Sequence, residues 1–405
     1  MTTMQKGRSP FSPDQPVTAE LFVGRHAQIE HILTRGAGQV AAGKPVTMFL
    51  EGEYGIGKTS IAKFVQWISE RDKKLLGIYA TLERAESMDD IGVAVLEGTL
   101  RAGVYNPNLG EKIRDGLAKY VGEQSLFGVT IHAEALKKEG PRIAHGLLPF
   151  LSETLARVRN DGMLGVFLVL DEINGIARNP RFAPFLKGLS DINAATAPGQ
   201  TALPLLLMLV GVEERRWEIS AQHASVASIF DIVRIECLSE DEMKDFYVRA
   251  FESVKYTVEP AALDVMTHYA AGFPKIMHII GNAAYWIDTD GCIGRDDAMQ
   301  AIVLAAEDVG RKYVDQQVYQ ALRSKDYHSI LRKIAQMGMD MSFRRADVSR
   351  GLTESERKKL DNFLTKMKAL KVIRSGAVSG EYVFNMRMVR LYIWLKSTTE
   401  PRSMP

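Results

Sequence analysis

Cysteine is nearly missing from this chain. Cys237 and Cys292 are the only two in 405 residues, they lie far apart, and neither belongs to a metal-ligand spacing. A disulfide framework is therefore not indicated, and the usage fits a reducing cytoplasm. The 8 histidines are scattered, with no H-E-x-x-H or similar pair, and lone histidines of this kind are more often surface or core residues than ligands. No apolar run approaches the roughly 20 residues needed to cross a bilayer, so no membrane partner is expected. The first residues, MTTMQKGRSPFSPDQP, lack an apolar signal core and read as a disordered leader over 1–16.

What is present is the composition of an ordinary globular protein, 46% hydrophobic and 25% charged, at a length that suggests two to three domains. Net charge is only +2, but it is unevenly spread. From Arg311 to Lys396, 19 Lys and Arg stand against 8 Asp and Glu, a local surplus of 11 positive charges that leaves −9 on the remainder. A basic block on an acidic body points to a polyanion, nucleic acid being the usual one; a solvated helical surface gives the same count.

The strongest motif is Met48 to Phe64, MFLEGEYGIGKTSIAKF. The apolar run Val46 to Leu50 stops at Gly52, and a helical pattern begins after Thr59. Gly52, Gly57, Lys58 and Thr59 fall at the G-x-x-x-x-G-K-[ST] spacing between strand and helix, the context that defines a phosphate-binding loop. Glycines let the backbone wrap with its N–H groups inward, and the helix N-terminus that follows favours an anion. Glu53, Tyr54, Gly55 and Ile56 complete the loop, and Ser60 the first helical turn. Lys58 can reach the β- and γ-phosphates, and the Thr59 hydroxyl can ligate Mg²⁺. These residues predict binding of ATP or GTP.

The second chemical motif is GVFLVLDEIN at Gly165 to Asn174. Val166 to Leu170 form a buried strand, with Asp171 and Glu172 at the C-terminal end where open α/β sheets bind ligands. Asp171 there can hold Mg²⁺ beside Thr59, and Glu172 can orient or deprotonate the attacking water. Two acids in that place can also cap the next helix.

Around these motifs, Phe22-Val23-Gly24-Arg25 precedes an amphipathic helix over roughly Ala27 to Ala42, and an aromatic-Gly-Arg element in that place can fold over an adenine ring. Further strands are expected at Leu75 to Leu82, Leu203 to Val212 and Ile232 to Cys237. Alternation with helices implies a parallel, doubly wound sheet. Residues 83–163 read mostly as helix, an insertion longer than a crossover needs. Ser239 and Glu242 form a capping box, after which the chain turns wholly helical to Asp308, broken at Gly272-Phe273-Pro274-Lys275. The boundaries expected are an α/β core over 17–238 and a helical lid over 239–308.

The basic block follows over 309–399. Helices around Asp326 to Gln336, Phe343 to Leu352 and Ser355 to Leu370 precede two short apolar runs about a Gly/Ser turn, Val372 to Phe384. Three helices and a hairpin suggest a winged helix, with Arg357, Lys358, Lys359, Lys366, Lys368 and Arg374 available to phosphates of double-stranded DNA. Winged helices also serve as protein-interaction modules.

Taken together these pieces resemble AAA+ P-loop ATPases, in the branch that holds origin-recognition initiators, transposition ATPases and STAND-like bacterial ATPases. The resemblance runs from Phe22 through the basic block, on FVGR, GEYGIGKT, LVLDE and GFPK. It implies ATP in place of GTP, since no guanine-reading N-K-x-D element occurs. It also implies an adenine-side role for Phe22, Val23 and Arg25, a lid residue at Lys275 that touches the γ-phosphate, and ATP-dependent homo-oligomers. The chain departs from the pattern at three places. Sensor 2 is usually arginine and is here Lys275, which loses bidentate geometry. The strand that usually ends in a small polar sensor 1 ends in Gly211-Val212, with Glu213 the nearest polar residue. The stretch Ser225 to Phe230, where a trans-acting arginine often lies, has none, leaving Arg215 or Arg216 as substitutes. Such a finger supplies about 10³–10⁵ in rate, so its lack implies slow hydrolysis. The resemblance thus implies a slow, DNA-binding switch, or else a STAND-like signalling or anti-phage defence ATPase whose basic block binds an unknown protein.

Overall fold

The structure, a computed structural model, describes residues 6–13, 23–103, 107–121, 146–194, 202–338 and 340–399. They form two compact units, Gly24–Glu236 and Met1–Val23 with Cys237–Pro405. Among the described residues no helix is long and apolar enough to cross a membrane.

The unit Gly24–Glu236 is built on a five-stranded sheet. Its strands are β1 (Val46–Gly52), β2 (Leu75–Thr81), β3 (Gly165–Asp171), β4 (Leu205–Gly211) and β5 (Asp231–Ile235), and they lie in the order β2-β3-β4-β1-β5. Every pairing is parallel. β3 and β4 are buried at each of their seven positions. That follows from sequences such as VFLVL and LLLMLV, which are apolar on both faces and need a helix layer on each side. Edge strand β5 alternates exposure instead.

One face of the sheet packs Ile78, Ala80, Leu168, Leu170 and Leu207 against the helices Met88–Leu100, Pro107–Val121, Leu147–Val158 and Phe182–Ala194. The expected insertion over 83–163 is therefore core-forming: Ile91, Val95, Leu151 and Leu155 are all buried in it. Residues 122–145 of that insertion lie outside the described residues. The other face carries the helix Lys58–Lys73, whose Gln66 and Glu70 side chains lie over Gly77. The helix expected over Ala27 to Ala42 is present as His26–His31, Ile32–Ala37 and Gly38–Ala41, the middle turn being π-helical.

A buried carboxylate ties the sheet to the helix after β4. Glu51, 1% exposed on β1, accepts from Arg216 Nε at 2.6 Å and from Arg234 Nη2 of β5 at 3.0 Å. Glu213 accepts from both arginines, at 3.3 and 2.7 Å. A glutamate desolvated this fully is tolerable only with such partners.

In the second unit the expected capping box is observed. Ser239 Oγ accepts from the Glu242 N–H and the Glu242 carboxylate accepts from the Ser239 N–H, opening the helix Glu240–Glu252. The helices Pro260–Ala270, Pro274–Ile287 and Arg295–Val309 follow. The chain is not wholly helical here, because β6 (Thr257–Val258) and β7 (Cys292–Ile293) form a short parallel pair. Both are two residues long, below what periodicity registers.

One expectation is corrected. Part of the leader, residues 6–13, is ordered and packed. Phe11 is 4% exposed, its ring 4.9 Å from that of Phe251 and 5.9 Å from that of Phe246. Gly281 makes the space: a Cβ there would lie 2.4 Å from the Phe11 ring. The Ser12 N–H donates to Nδ1 of buried His278 at 3.1 Å, and Lys6 Nζ donates to the carbonyls of Tyr285 and Trp286 at the end of their helix. A lone phenylalanine in a Pro/Ser-rich stretch carries no periodic signal, so its burial was not legible in the sequence.

The C-terminal portion runs through Lys325–Gln336, Arg345–Arg350 and Glu354–Ala369 to Arg387–Thr399. The expected hairpin is β9 (Ile373–Ser375) with β10 (Glu381–Phe384), antiparallel. A strand not anticipated, β8 (Ser342–Arg344), pairs with β10's other edge, so the stretch read as helix from Phe343 becomes helical only at Arg345.

Removing Arg216 strips a buried carboxylate of its shortest ion pair, which costs about 3 kcal/mol or more. Arg216→Ala is expected to lower the calorimetric unfolding transition of the Gly24–Glu236 unit, and the double change Glu51→Leu with Arg216→Met to recover most of the loss. Phe11→Ala, and equally Gly281→Ala, which pushes the ring out, are expected to abolish hydrogen-exchange protection over 6–13.

Candidate functional site

The parallel sheet brings the C-terminal ends of β1, β3 and β4 to one edge, and the two chemical motifs meet there. Gly52 ends β1, Ile56 anchors the loop at 1% exposure, and Gly55 and Gly57 take φ of +78° and +97°. The left-handed turn at Gly57 lets the chain enter the helix Lys58–Lys73 directly, with its first-turn N–H groups facing the loop. Lys58 Nζ donates to the carbonyls of Gly52 and Glu53, at 2.9 and 2.8 Å, which holds its ammonium at the loop. Tyr54 points outward at 62% exposure. Glu53 is exposed, and Ser60 lies half-buried in the first helical turn.

Asp171, 2% exposed at the end of β3, is brought to the start of that helix. The Thr59 hydroxyl donates to Asp171 Oδ2 at 2.7 Å, joining residues 112 positions apart in sequence. The Glu172 N–H donates to Asp171 Oδ1 at 2.8 Å, and Glu172 sits at φ +57°, a left-handed conformation that turns the chain sharply at the strand end. The two acids do not cap a following helix. Asp171 is engaged by side chains of the loop and the neighbouring strand, and the next helical element starts only at Ile176. Sequence reasoning missed one member of this cluster. The Tyr79 hydroxyl of β2 donates to Asp171 Oδ2, the oxygen that Thr59 also uses. Burial, with the Asp171 charge beside it, pushes the Tyr79 phenol well above its ordinary range, so it is a neutral donor. A tyrosine in an otherwise aliphatic strand, LLGIYAT, was the available signal.

The remaining expected residues fall as follows. Gly211 ends β4 and Glu213 starts the helix Glu213–Gln222, with its carboxylate committed to Arg216 and Arg234. Arg216 is held by Glu51, and Arg215 Nη1 donates to Glu218 Oε1 at 2.6 Å. Both arginines considered as fingers are thus engaged within their own chain. Arg25 is 8% exposed at φ +70° in the unit Gly24–Glu236, whereas Val23 packs against the core of the other unit; Phe22 lies outside the described residues. Lys275 lies in the first turn of the helix Pro274–Ile287 of that second unit, after Gly272 at φ +81°.

Among the described residues no group of three or more His, Cys, Asp and Glu side chains is placed to hold a metal. The donors at the loop are one hydroxyl and one carboxylate, hard oxygens at 2.7 Å from each other. That set does not suit a metal needing a full protein cage, and it does suit Mg²⁺, which takes one or two protein oxygens and completes its shell with phosphates and water. A separate cavity of about 250 Å³, lined by Val46, Thr47, Asn193, Leu205 and Leu207, lies at the opposite ends of β1 and β4 and has no titratable residue among the described residues of its wall.

No family model matches the chain, and no curated protein matches it by sequence. Among solved structures it is similar to a Walker-type ATPase of Pyrococcus abyssi, at 15% identity and a TM-score of 0.57 over 95% of this chain and 99% of the other. It is also similar to the ORC2 protein of Aeropyrum pernix in ADPNP–ADP complexes, at 14% identity and a TM-score of 0.60 over 92% and 93%. A third is the ORC1 protein of Aeropyrum pernix in complex with DNA, at 14% identity and a TM-score of 0.51 over 97% of each chain. At such identities a likeness speaks for architecture, and with the β2-β3-β4-β1-β5 sheet and the loop after β1 the conclusion is that this chain has the AAA+ P-loop fold.

Proposed function

We propose that the protein is an ATP-binding AAA+ ATPase that works as a slow switch and binds double-stranded DNA through its C-terminal basic block. The observation that carries the nucleotide part is the meeting of Thr59 and Asp171, 2.7 Å apart at the mouth of a glycine loop that opens a helix. The loop N–H groups would receive the phosphates, and Lys58 would leave the Gly52 and Glu53 carbonyls for the β- and γ-phosphates. Thr59 and Asp171 would hold Mg²⁺, which neutralises charge developing on the phosphates when bound. Glu172, set at the strand end by its left-handed backbone, would orient the water and take its proton as the bond to the β–γ bridging oxygen breaks. Val23, Arg25 and Phe22 remain the adenine-side candidates and Lys275 the lid candidate. Slowness is supported by Arg215 and Arg216, each tied into an ion pair of its own chain and so not offered to a neighbour's site. ATP-dependent self-association is part of this reading.

The DNA part rests on the basic surplus and on topology. Helices Lys325–Gln336, Arg345–Arg350 and Glu354–Ala369 followed by the β9–β10 hairpin, with β8 closing a three-stranded sheet, is the order of a winged helix. Arg357, Lys358, Lys359, Lys366, Lys368 and Arg374 are all exposed on it. The similar Aeropyrum pernix ORC1 protein is in complex with DNA. One observation favours the alternative of a signalling or defence ATPase whose basic block binds protein. Lys358 pairs with Glu354 at 2.9 Å, Lys359 with Asp326 at 2.6 Å and Arg345 with Asp361 at 2.7 Å, so part of the surplus is neutralised in place. Exposed pairs of this kind are worth under about 1 kcal/mol and exchange readily for phosphate, which keeps DNA the preferred partner.

Glu172→Gln is expected to retain ATP while turnover falls about 100-fold or more, measured by phosphate release beside equilibrium nucleotide binding. Parent-like turnover in that variant would remove Glu172 from the chemistry. Lys358→Ala with Lys359→Ala is expected to weaken duplex DNA binding and to flatten the log–log salt dependence by about 2, roughly one unit per lost phosphate contact. Salt-independent binding, or none in the parent, would leave the protein-binding alternative.

A further inference from the structure

Gly77, Tyr79 and Thr81 alternate along β2 with Ile78 and Ala80, which belong to the opposite core. Gly77 lies under Gln66 and Glu70 of the helix Lys58–Lys73, so Tyr79 shares the face on which that helix packs. In the β2–β3 ladder Tyr79 pairs with Val169 and Thr81 with Asp171. Asp171 is thus the diagonal neighbour of Tyr79, two residues along and on the same face, within reach of an aromatic side chain. Lys63 of the helix lies over the ring, its Nζ 4.9 Å from the centroid. The phenol is clamped between helix and strand, its hydroxyl donating to Asp171 Oδ2 and also hydrogen-bonded with the Thr59 side chain.

That oxygen is the one that matters for a cation. Asp171 Oδ1 takes the Glu172 N–H, while Oδ2 takes both Thr59 Oγ1 and the Tyr79 hydroxyl. A carboxylate oxygen has two lone-pair directions. With one held by Tyr79 and Oδ1 held by the backbone, the carboxylate plane is fixed, and the second direction, which the Thr59 hydroxyl occupies in this structure, is the one a cation shared by Thr59 and Asp171 would take. We propose that Tyr79 is a positioning residue for the divalent cation of the nucleotide site, holding Asp171 in the one orientation that faces Thr59 and so setting the affinity of the site for Mg²⁺. The inference rests on the nucleotide-binding reading above. It fits the general behaviour of groups that orient metal ligands, whose loss costs about 10–100-fold in metal affinity.

The test is binding of a fluorescent adenine nucleotide to the full chain, titrated with Mg²⁺ from an EDTA-containing start, for the parent, Tyr79→Phe and Asp171→Asn. Phenylalanine keeps the ring beneath Lys63 and removes only the hydroxyl. Tyr79→Phe is expected to keep the parent's Mg²⁺-free nucleotide affinity and to need about 10-fold or more free Mg²⁺ for half of the Mg²⁺-dependent gain. Asp171→Asn is expected to lose that gain. A parent-like Mg²⁺ midpoint in Tyr79→Phe overturns the proposal, as does a loss of Mg²⁺-free affinity, which would mean that the phenol supports packing and not the cation. If the parent itself binds no nucleotide, the reading of the site falls, and the role of Tyr79 falls with it.

Discussion

A strand covered on both faces by helices has no place for a polar side chain along its length, so its polar residues collect where it ends. β3 and β4 are buried at every position, and the first carboxylate along β3 is Asp171, at its last residue. Because all five strands are parallel, those ends share one edge, and the loop after β1 opens at the same edge. The site is a consequence of burial. Five apolar residues followed by two acids cannot be placed in such a sheet without bringing the acids to the edge where the glycine loop opens.

Glu51 is an exception to that rule, being ionisable and buried on β1, one residue before Gly52. It is accommodated because Arg216 and Arg234 come to it from two neighbouring elements, and Glu213 shares both arginines. The same network bears on the proposed slow turnover. Arginines that neutralise a buried acid of their own chain are held there by the desolvation penalty that their departure would expose, so they are poor candidates for reaching across to a neighbour. Charge that holds the fold and charge offered at the surface are thus separated on this molecule. The interior network fixes the helix after β4, while the exposed pairs of the C-terminal block, such as Lys358 with Glu354, remain exchangeable.

Legibility in the sequence tracked the kind of signal each element carries. The loop Gly52 to Thr59 and the acids after β3 were readable because backbone-wrapping glycines and a buried apolar run leave local patterns. The Ser239–Glu242 capping box was readable for the same reason, since its bonds span three residues. Tyr79 left only a faint signal, one aromatic ring in an aliphatic strand. Its contact with Asp171 comes from a strand register that sets it diagonal to that residue, and register is a property of the paired strands. Phe11 was misread for a related reason. Its burial depends on the gap left by Gly281, 270 positions away, and on the rings of Phe246 and Phe251 from the helix Glu240–Glu252. β8 was taken into a helix because three residues are too few to show a period, and only β10's free edge makes Ser342 to Arg344 a strand.

By itself the amino-acid sequence determined that this chain carries a glycine loop between strand and helix, a second strand ending in Asp171-Glu172, and a basic C-terminal block. Each of these is a pattern within about fifteen neighbouring residues or a simple count of charge, which chain connectivity alone preserves. The tertiary structure decided which groups meet: Thr59 with Tyr79 on one oxygen of Asp171, Arg216 and Arg234 on Glu51, and Phe11 on Gly281. Those meetings depend on strand order, ladder register and the shape of the space between helices. All three are settled by burying apolar surface over the whole unit, and no short stretch of sequence contains them.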